Sequence, residues 1–159
     1  MNVREKFILA AVLPVIFLVA DRLAKWYALV ALSSGKSVVL FPGLEYGLFL
    51  NPGLVFSSFG SAVATIASAV AFAALAILAL RAYSKLNDRL APAALWPFLL
   101  IALGGASNIY DRISCGGVVD YILFARSAWN IADIMILAGL ALMFMRAPKG
   151  GKRTDTKNI

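Results

Sequence analysis

Two aspartates set among apolar residues are the side chains in this sequence best suited to chemistry. Asp120 follows Gly-Gly-Val-Val, and Asp133 closes the segment Trp129-Asn-Ile-Ala-Asp. Loop aspartates usually stand beside polar turn residues, and burial would raise the pKa of Asp120. Two carboxylates brought close cannot both ionise easily, so one keeps a proton while the other takes a proton from water. This pairing indicates aspartic peptidase chemistry, in which one group activates water and its partner polarises the scissile carbonyl.

Each of these side chains also has an ordinary structural explanation. An aspartate in the first turns of a helix, such as Asp133, gains from the helix macrodipole. Asn130, three residues earlier, can serve simply as the N-cap of that helix. The residues from Ile134 onward are strongly apolar, and this favours an Asp133 that faces other helices rather than lipid. Spacing alone leaves both interpretations open.

Two further polar groups follow helical spacing. Asp21 and Lys25 are four residues apart and can form an ion pair on one helix face. We expect this pair to neutralise itself and to hold an outer loop in place, with direct catalysis as the alternative. Asn108, Asp111 and Arg112 share another helix face. An Asp–Arg cap would explain the last two alone, but Asn108 favours a polar cluster whose side chains stabilise a developing oxyanion.

The residue types that are missing narrow the possible chemistry. The sequence has no histidine and a single cysteine, Cys115. A His/Cys zinc site, a disulfide within the chain, and Ser–His or Cys–His catalysis are therefore excluded. We expect no metal and no cofactor. We interpret Cys115 as a small loop residue, with a reactive thiol as the alternative.

Long apolar runs dominate the 159 residues, of which 62% are hydrophobic and 14% charged. A soluble domain of this length needs more polar surface, whereas a bilayer span needs roughly 20 mostly apolar residues. The candidate runs are Phe7 to Leu32, Ala62 to Tyr83, Pro92 to about Tyr110, and Trp129 to Met145. We therefore predict an all-α integral membrane protein of four transmembrane helices. β-Branched and aromatic stretches within 33–60 and 117–124 add a small extracytoplasmic β element.

The net charge of +7 has a topological pattern. Basic residues cluster at the N-terminus, between the second and third runs, and in the tail, which indicates that both termini are cytoplasmic. The same clustering at the ends of apolar runs argues against nucleic-acid binding. We expect one domain over residues 1–147, followed by a basic, disordered tail over 148–159. We also expect a monomer that contacts membrane lipid.

Read together, the polar groups resemble the motifs of the lipoprotein signal peptidases, also called signal peptidase II. The matching segments are Asp21-Arg-Leu-Ala-Lys25, Asn51-Pro-Gly53-Leu-Val-Phe56, Gly104-Gly-Ala-Ser-Asn108-Ile-Tyr-Asp111-Arg112, Val118-Val-Asp120-Tyr121 and Trp129-Asn130-Ile-Ala-Asp133. These five motifs occur in the family's order and cover nearly the whole chain. Any one alone keeps its structural explanation, but the complete set favours the family.

The resemblance implies that Asp120 and Asp133 are the catalytic pair and that Asp21 and Lys25 are a structural pair. The polar residues it places around the catalytic pair are Asn51, Gly53, Asn108, Asp111, Arg112 and Asn130. The implied substrate is a prolipoprotein whose lipobox cysteine carries diacylglycerol, cleaved on the amino side of that cysteine, with the lipid among the helices. The implied location is the bacterial cytoplasmic (inner) membrane, with the active site near its extracytoplasmic face.

The sequence departs from the family pattern at several positions. Arg22 stands where Gln is usual, Ser107 stands where Gly is expected, and Tyr121 and Trp129 replace Phe. In addition, Pro52 stiffens the turn after Asn51, and the segment from Gly104 to Asn108 is one residue shorter than usual. The competing functions are a binding or transport protein on the same scaffold and a Ser–Lys peptidase that uses Lys25. Both aspartates are present, which argues against a catalytically silent relative.

Overall fold

The computed structural model describes residues 3–52, 61–83 and 91–146, and this part of the chain forms four helices and four strands. The elements are α1 (Val3–Ala31), β1 (Val38–Phe41), β2 (Leu44–Asn51), α2 (Ser61–Tyr83), α3 (Ala91–Cys115), β3 (Val118–Phe124), β4 (Ser127–Trp129) and α4 (Ile131–Arg146). The third helix packs against α1, α2 and α4 and therefore forms the centre of the helical layer.

The strands form one antiparallel sheet in the order β1-β2-β3-β4. Pro42 and Gly43 form the turn between β1 and β2, and Gly43 has φ +81°. Proline fixes the first turn position, and glycine accepts the positive φ of the second at no steric cost. The β2–β3 pairing joins two distant parts of the chain and aligns Phe49 with Asp120 and Asn51 with Val118. It therefore brings Asn51 beside Asp120.

Small residues let α3 and α4 approach closely. A Cβ atom at Gly104 would lie 2.6 Å from the carbonyl oxygen of Ala132, at the start of α4. Farther along, a Cβ atom at Gly139 would lie 2.7 Å from the carbonyl oxygen of Pro97. Such backbone contact holds the polar end of α3 against the first turn of α4.

The predicted all-α fold of four transmembrane helices is wrong. Among the described residues, no helix combines the length and the apolar character required to cross a bilayer. Asp21, Arg22 and Lys25 interrupt α1, and α3 ends in a polar segment. The fourth helix has 16 residues, about 24 Å at roughly 1.5 Å per residue, against a hydrocarbon core of roughly 30 Å. A four-stranded sheet also replaces the small β element that we expected.

Several boundaries also differ from the sequence-based expectations. The third helix continues to Cys115, so that residue ends a helix and does not lie in a loop. Trp129 ends β4, where it pairs with Ile122, and α4 begins only at Ile131. Gly53, Phe56 and the basic tail lie outside the described residues.

The close approach of α3 and α4 predicts different effects for two neighbouring substitutions. In Gly104→Ala, the new methyl group meets the rigid backbone of Ala132, so we expect a loss of about 1–3 kcal/mol in the free energy of unfolding. In Gly105→Ala, the neighbour is the ring of Phe72 at 2.7 Å, which can rotate away. The helix propensity of alanine, about 1 kcal/mol better than glycine, should then offset the cost. Thermal unfolding of both purified variants tests this, and equal losses would contradict it.

Candidate functional site

Asp120, on β3, is 1% exposed and accepts two side-chain amide hydrogen bonds. Asn130 Nδ2 donates to Oδ1 at 2.5 Å, and Asn51 Nδ2 donates to Oδ2 at 3.3 Å. Burial, and after it the negative charge of Asp133, raises the pKa of Asp120 to about 6, although both amide hydrogen bonds oppose that rise. Asp120 can therefore carry a proton near neutral pH.

Asp133 lies in the first turn of α4 and is half-buried. Its Oδ1 accepts a hydrogen bond from Asn108 Nδ2 at 2.8 Å, and its backbone N–H donates to Asn130 Oδ1 at 2.8 Å. Asn130 is therefore the N-cap of α4, one of the two roles that the sequence left open, and its NH2 group also binds Asp120. A single buried amide thus links the two aspartates.

A cluster of four charges, three of them fully buried, lies beside this pair and joins α1 to α3. The Lys25 ammonium is 3.0 Å from Asp21 Oδ2 and 2.7 Å from Asp111 Oδ2, and all three side chains are fully buried. Arg22 lies 2.5 Å from Asp111 Oδ1 and stacks over the ring of Tyr110. The Asp21–Lys25 ion pair therefore forms as expected, but within a cluster of two cations and two anions.

The cluster also orients Asn108. Lys25 Nζ donates to Asn108 Oδ1 at 2.7 Å. Because an ammonium group only donates hydrogen bonds, Asn108 must present its oxygen to Lys25 and its NH2 group to Asp133. The buried charge thus acts on Asp133 through one intervening amide.

Tyr121 and Ser107 complete the polar network. Tyr121 OH lies 3.1 Å from Asp21 Oδ1 and 3.1 Å from the backbone nitrogen of Ile131. Ser107 Oγ donates to Asp21 Oδ2 at 2.6 Å and accepts from Arg22 at 3.2 Å. Burial, and after it the charge of Asp21, raises the pKa of Tyr121, so its hydroxyl stays protonated.

A largely apolar groove of about 290 Å³ leads to Asp133. Three helices line it: Ser68, Ala71, Phe72 and Leu75 from α2; Ile101, Gly105, Asn108, Ile109 and Arg112 from α3; and Asp133 and Ile136 from α4. Its polar residues are Ser68, Asn108, Arg112 and Asp133. The Arg112 guanidinium interacts electrostatically with Asp120, Asp133 and Asp111. The groove can therefore hold an apolar group beside the Asp133 carboxyl group and the Arg112 guanidinium.

The structure divides the predicted site residues into two groups. Asn51, Asn108, Arg112 and Asn130 lie around Asp120 and Asp133, whereas Asp111 lies in the cluster with Asp21 and Lys25. No group of three or more metal-binding side chains occurs among the described residues, and the expectation of a metal-free reaction stays a prediction. Sequence reasoning missed the roles of Arg22, Ser107 and Tyr121, although all three depart from the family pattern.

Comparison with known proteins gives a consistent result. The family model of signal peptidase (SPase) II matches residues 13–148. A lipoprotein signal peptidase of Bifidobacterium adolescentis is 31% identical over 99% of this chain and 87% of its own length. Another, from Ectopseudomonas mendocina, is 33% identical over 88% of this chain and 89% of its own. A solved structure described as a bacterial membrane enzyme shares the fold at TM-score 0.72 and 19% identity, over 94% of this chain and 93% of its own.

The family match spans both the segment that carries Asp120 and the segment that carries Asp133. The chain belongs to the signal peptidase II family of proteases.

Proposed function

We propose that this protein is an aspartic endopeptidase that removes signal peptides from diacylglyceryl-modified prolipoproteins, cleaving on the amino side of the lipidated cysteine. The observation that carries the proposal is that Asn130 binds Asp120 and also caps the turn that holds Asp133. This arrangement places Asp120 beside the turn that carries Asp133, and the Asp133 carboxyl group lines the polar end of an apolar groove. The similarity to lipoprotein signal peptidases supports the choice of substrate.

The proposed mechanism uses the two carboxyl groups as one unit that shares a proton. One carboxylate takes a proton from water, and the water oxygen attacks the scissile carbonyl carbon. The protonated partner gives its proton to the carbonyl oxygen as the tetrahedral intermediate forms. The carboxyl group that took the water proton then gives it to the peptide nitrogen, and the C–N bond breaks to release the amine. The other carboxylate takes back a proton from a hydroxyl of the intermediate as the new carboxyl product forms, which restores the pair. Arg112 stabilises the developing oxyanion electrostatically.

The groove supports the lipid part of the proposal. Apolar side chains, including Phe72, Ile101 and Ile136, line it, and its polar end holds Asn108 and Asp133. An acyl chain in the groove would leave water, which stabilises binding by about 25 cal/mol per Å² of apolar surface. It would also hold the attached cysteine beside the carboxyl pair. Binding energy from the lipid would thus orient the peptide bond.

The Ser–Lys alternative lacks a usable base. Lys25 lies 3.4 Å from Ser107 Oγ, but its ammonium is fully buried and ion-paired with two carboxylates. Ser107 is itself buried and donates its proton to Asp21. A charged lysine cannot accept the proton of that serine.

We also propose that the protein acts as a monomer and that its site faces the outer side of the bacterial cytoplasmic membrane, with both chain termini in the cytoplasm. All side chains of the proposed mechanism belong to one chain. The distribution of Lys and Arg supports the orientation, because the segments that carry Asn51 and Asp120 hold few basic residues.

The first prediction of this proposal concerns the carboxyl pair. Asp120→Asn and Asp133→Asn should each lower turnover of a diacylglyceryl-modified prolipopeptide by more than about a thousandfold, and the double variant should be little worse, because the two act as a unit. The assay is peptide release per folded molecule in detergent. The same peptide without its lipid is the matched substrate control, and it should be cleaved much more slowly because the groove stays unfilled. Near-normal turnover by either variant would contradict the assignment.

The free energy of unfolding of the variants distinguishes a residue of the carboxyl pair, such as Asp120, from a residue of the charged cluster, such as Asp111. The folded state raises the pKa of Asp120, so its stabilising contribution is present below pH 3.8 and is lost as pH rises through about 6. At pH 8, Asp120→Asn should therefore have a higher free energy of unfolding than the parent, by up to about 3 kcal/mol. It should also unfold at a higher temperature. Asp111→Asn is the matched control, and it should be less stable, because Lys25 and Arg22 lose a charged partner.

The second prediction concerns pH. The carboxyl pair of the free enzyme should lose its shared proton above about pH 6, so kcat/KM should fall about tenfold per pH unit on the alkaline side. In Asn51→Leu, the Asp120 carboxylate loses an N–H donor that favours ionisation. The alkaline limb should then move to higher pH. A kcat/KM profile that is flat from pH 5.5 to 8 would contradict a proton shared by the carboxyl pair. So would an alkaline limb that moves to lower pH in Asn51→Leu.

The third prediction concerns orientation. In a Cys115→Ser background, a cysteine at the exposed position Ser37 should react with a membrane-impermeant maleimide in intact cells. A cysteine at Thr156 should react only after the membrane is permeabilised. Labelling of the tail position with protection of position 37 would show the opposite orientation.

A further inference from the structure

The Tyr121 hydroxyl is a buried polar group that the proposed mechanism does not use, and it joins three elements. Tyr121 lies on β3 immediately after Asp120 and is 2% exposed. Its hydroxyl donates to Asp21 Oδ1 on α1 and accepts from the backbone N–H of Ile131 on α4. A hydroxyl can do both at once, since it has one proton and two lone pairs.

The contact with Ile131 completes the N-terminus of α4. The N–H groups in the first turn of a helix have no partner within the helix. Here the N–H of Ile131 donates to Tyr121 OH, that of Ala132 to Asp21 Oδ1, and that of Asp133 to Asn130 Oδ1. Side chains from β3, α1 and the cap residue thus fix the direction in which α4 starts.

The bonds of the buried carboxylates follow a pattern around the two aspartates. Asp21 accepts from the N–H of Ala132, the residue before Asp133. Asp111 accepts from the N–H of Val119, the residue before Asp120. Asp111 therefore holds the backbone next to Asp120, and Asp21 holds the backbone next to Asp133. The Tyr121 hydroxyl, one residue after Asp120, binds Asp21 and so connects the two segments.

We propose that Tyr121 is a positioning residue for the reaction, because its hydroxyl ties β3, the first turn of α4 and Asp21 into one unit that sets the separation of the Asp120 and Asp133 carboxyl groups. This inference rests on the proposed catalytic pair. Removing the hydroxyl leaves the Ile131 N–H without its acceptor and releases the first turn of α4 from β3. The two carboxyl groups then sample separations that do not suit one shared proton and one water.

The test is Tyr121→Phe, with Tyr46→Phe as the matched control. Tyr46 lies in the same sheet, its ring centroid is 5.6 Å from that of Tyr121, and its hydroxyl donates to the carbonyl of Ala24 at 2.7 Å. In Tyr121→Phe, kcat per folded molecule should fall at least about tenfold while KM stays within about twofold. The alkaline limb of the pH profile should move to lower pH, because the charge of Asp133 then raises the pKa of Asp120 less. Tyr46→Phe should keep the parent's kcat and profile.

Several outcomes would overturn the inference. The first is a Tyr121→Phe variant whose kcat is within twofold of the parent's and whose alkaline limb does not move. The second is a loss of kcat in Tyr46→Phe equal to that in Tyr121→Phe. If Tyr121→Phe does not fold, Asp21→Asn weakens the acceptor of the same bond, and an unchanged kcat in that variant overturns the inference instead. Should Asp120→Asn retain turnover, the proposed catalytic pair fails and this inference fails with it. Should both Asp→Asn variants be inactive while Tyr121→Phe is normal, only the inference fails.

Discussion

The buried Lys25 ammonium is the constraint on which the polar half of this structure depends. A charge removed from water costs several kcal/mol unless close partners replace its hydration. Lys25 finds those partners on two helices, in Asp21 one turn earlier on α1 and in Asp111 on α3. The cluster can be satisfied only when α1 and α3 pack in one register. Arg22, whose side chain is 32% exposed, supplies the second cation and pairs with Asp111.

The cluster also determines which groups donate and which accept in the hydrogen bonds that reach Asp133. Lys25 can only donate, which turns the Asn108 amide so that it donates to Asp133. The N–H of Asp133 likewise turns Asn130 so that its NH2 group faces Asp120. Both amides therefore present donors to carboxyl groups without paying for reorientation when charge develops. Such preorganisation is what makes electrostatic stabilisation effective in a water-poor site.

Local spacing in the sequence predicted the local parts of this network. The i,i+4 relation gave the Asp21–Lys25 pair, and the position of Asn130 before an apolar run gave the cap of α4. The Asn51–Asp120, Ser107–Asp21 and Tyr121–Asp21 contacts were not predictable in this way, because their partners lie 69 to 100 residues apart in the chain. The predicted membrane spans failed for a different reason. Mean hydropathy over a run ignores the charges and the helix length that decide a span.

The polar network and the apolar groove differ in how much displacement of their side chains they tolerate. On the side of α1 and β3, every carboxylate in the cluster has charged or hydrogen-bonding partners with strict geometry, and such contacts tolerate little displacement. On the side of α2, the Phe72 ring lies against Gly105 of α3, and such an apolar side chain can change rotamer at small cost. Any adjustment to an apolar group of variable shape should therefore occur at α2. The polar supports of the carboxyl pair come from α1, α3 and the sheet, on the other side of the groove from Phe72.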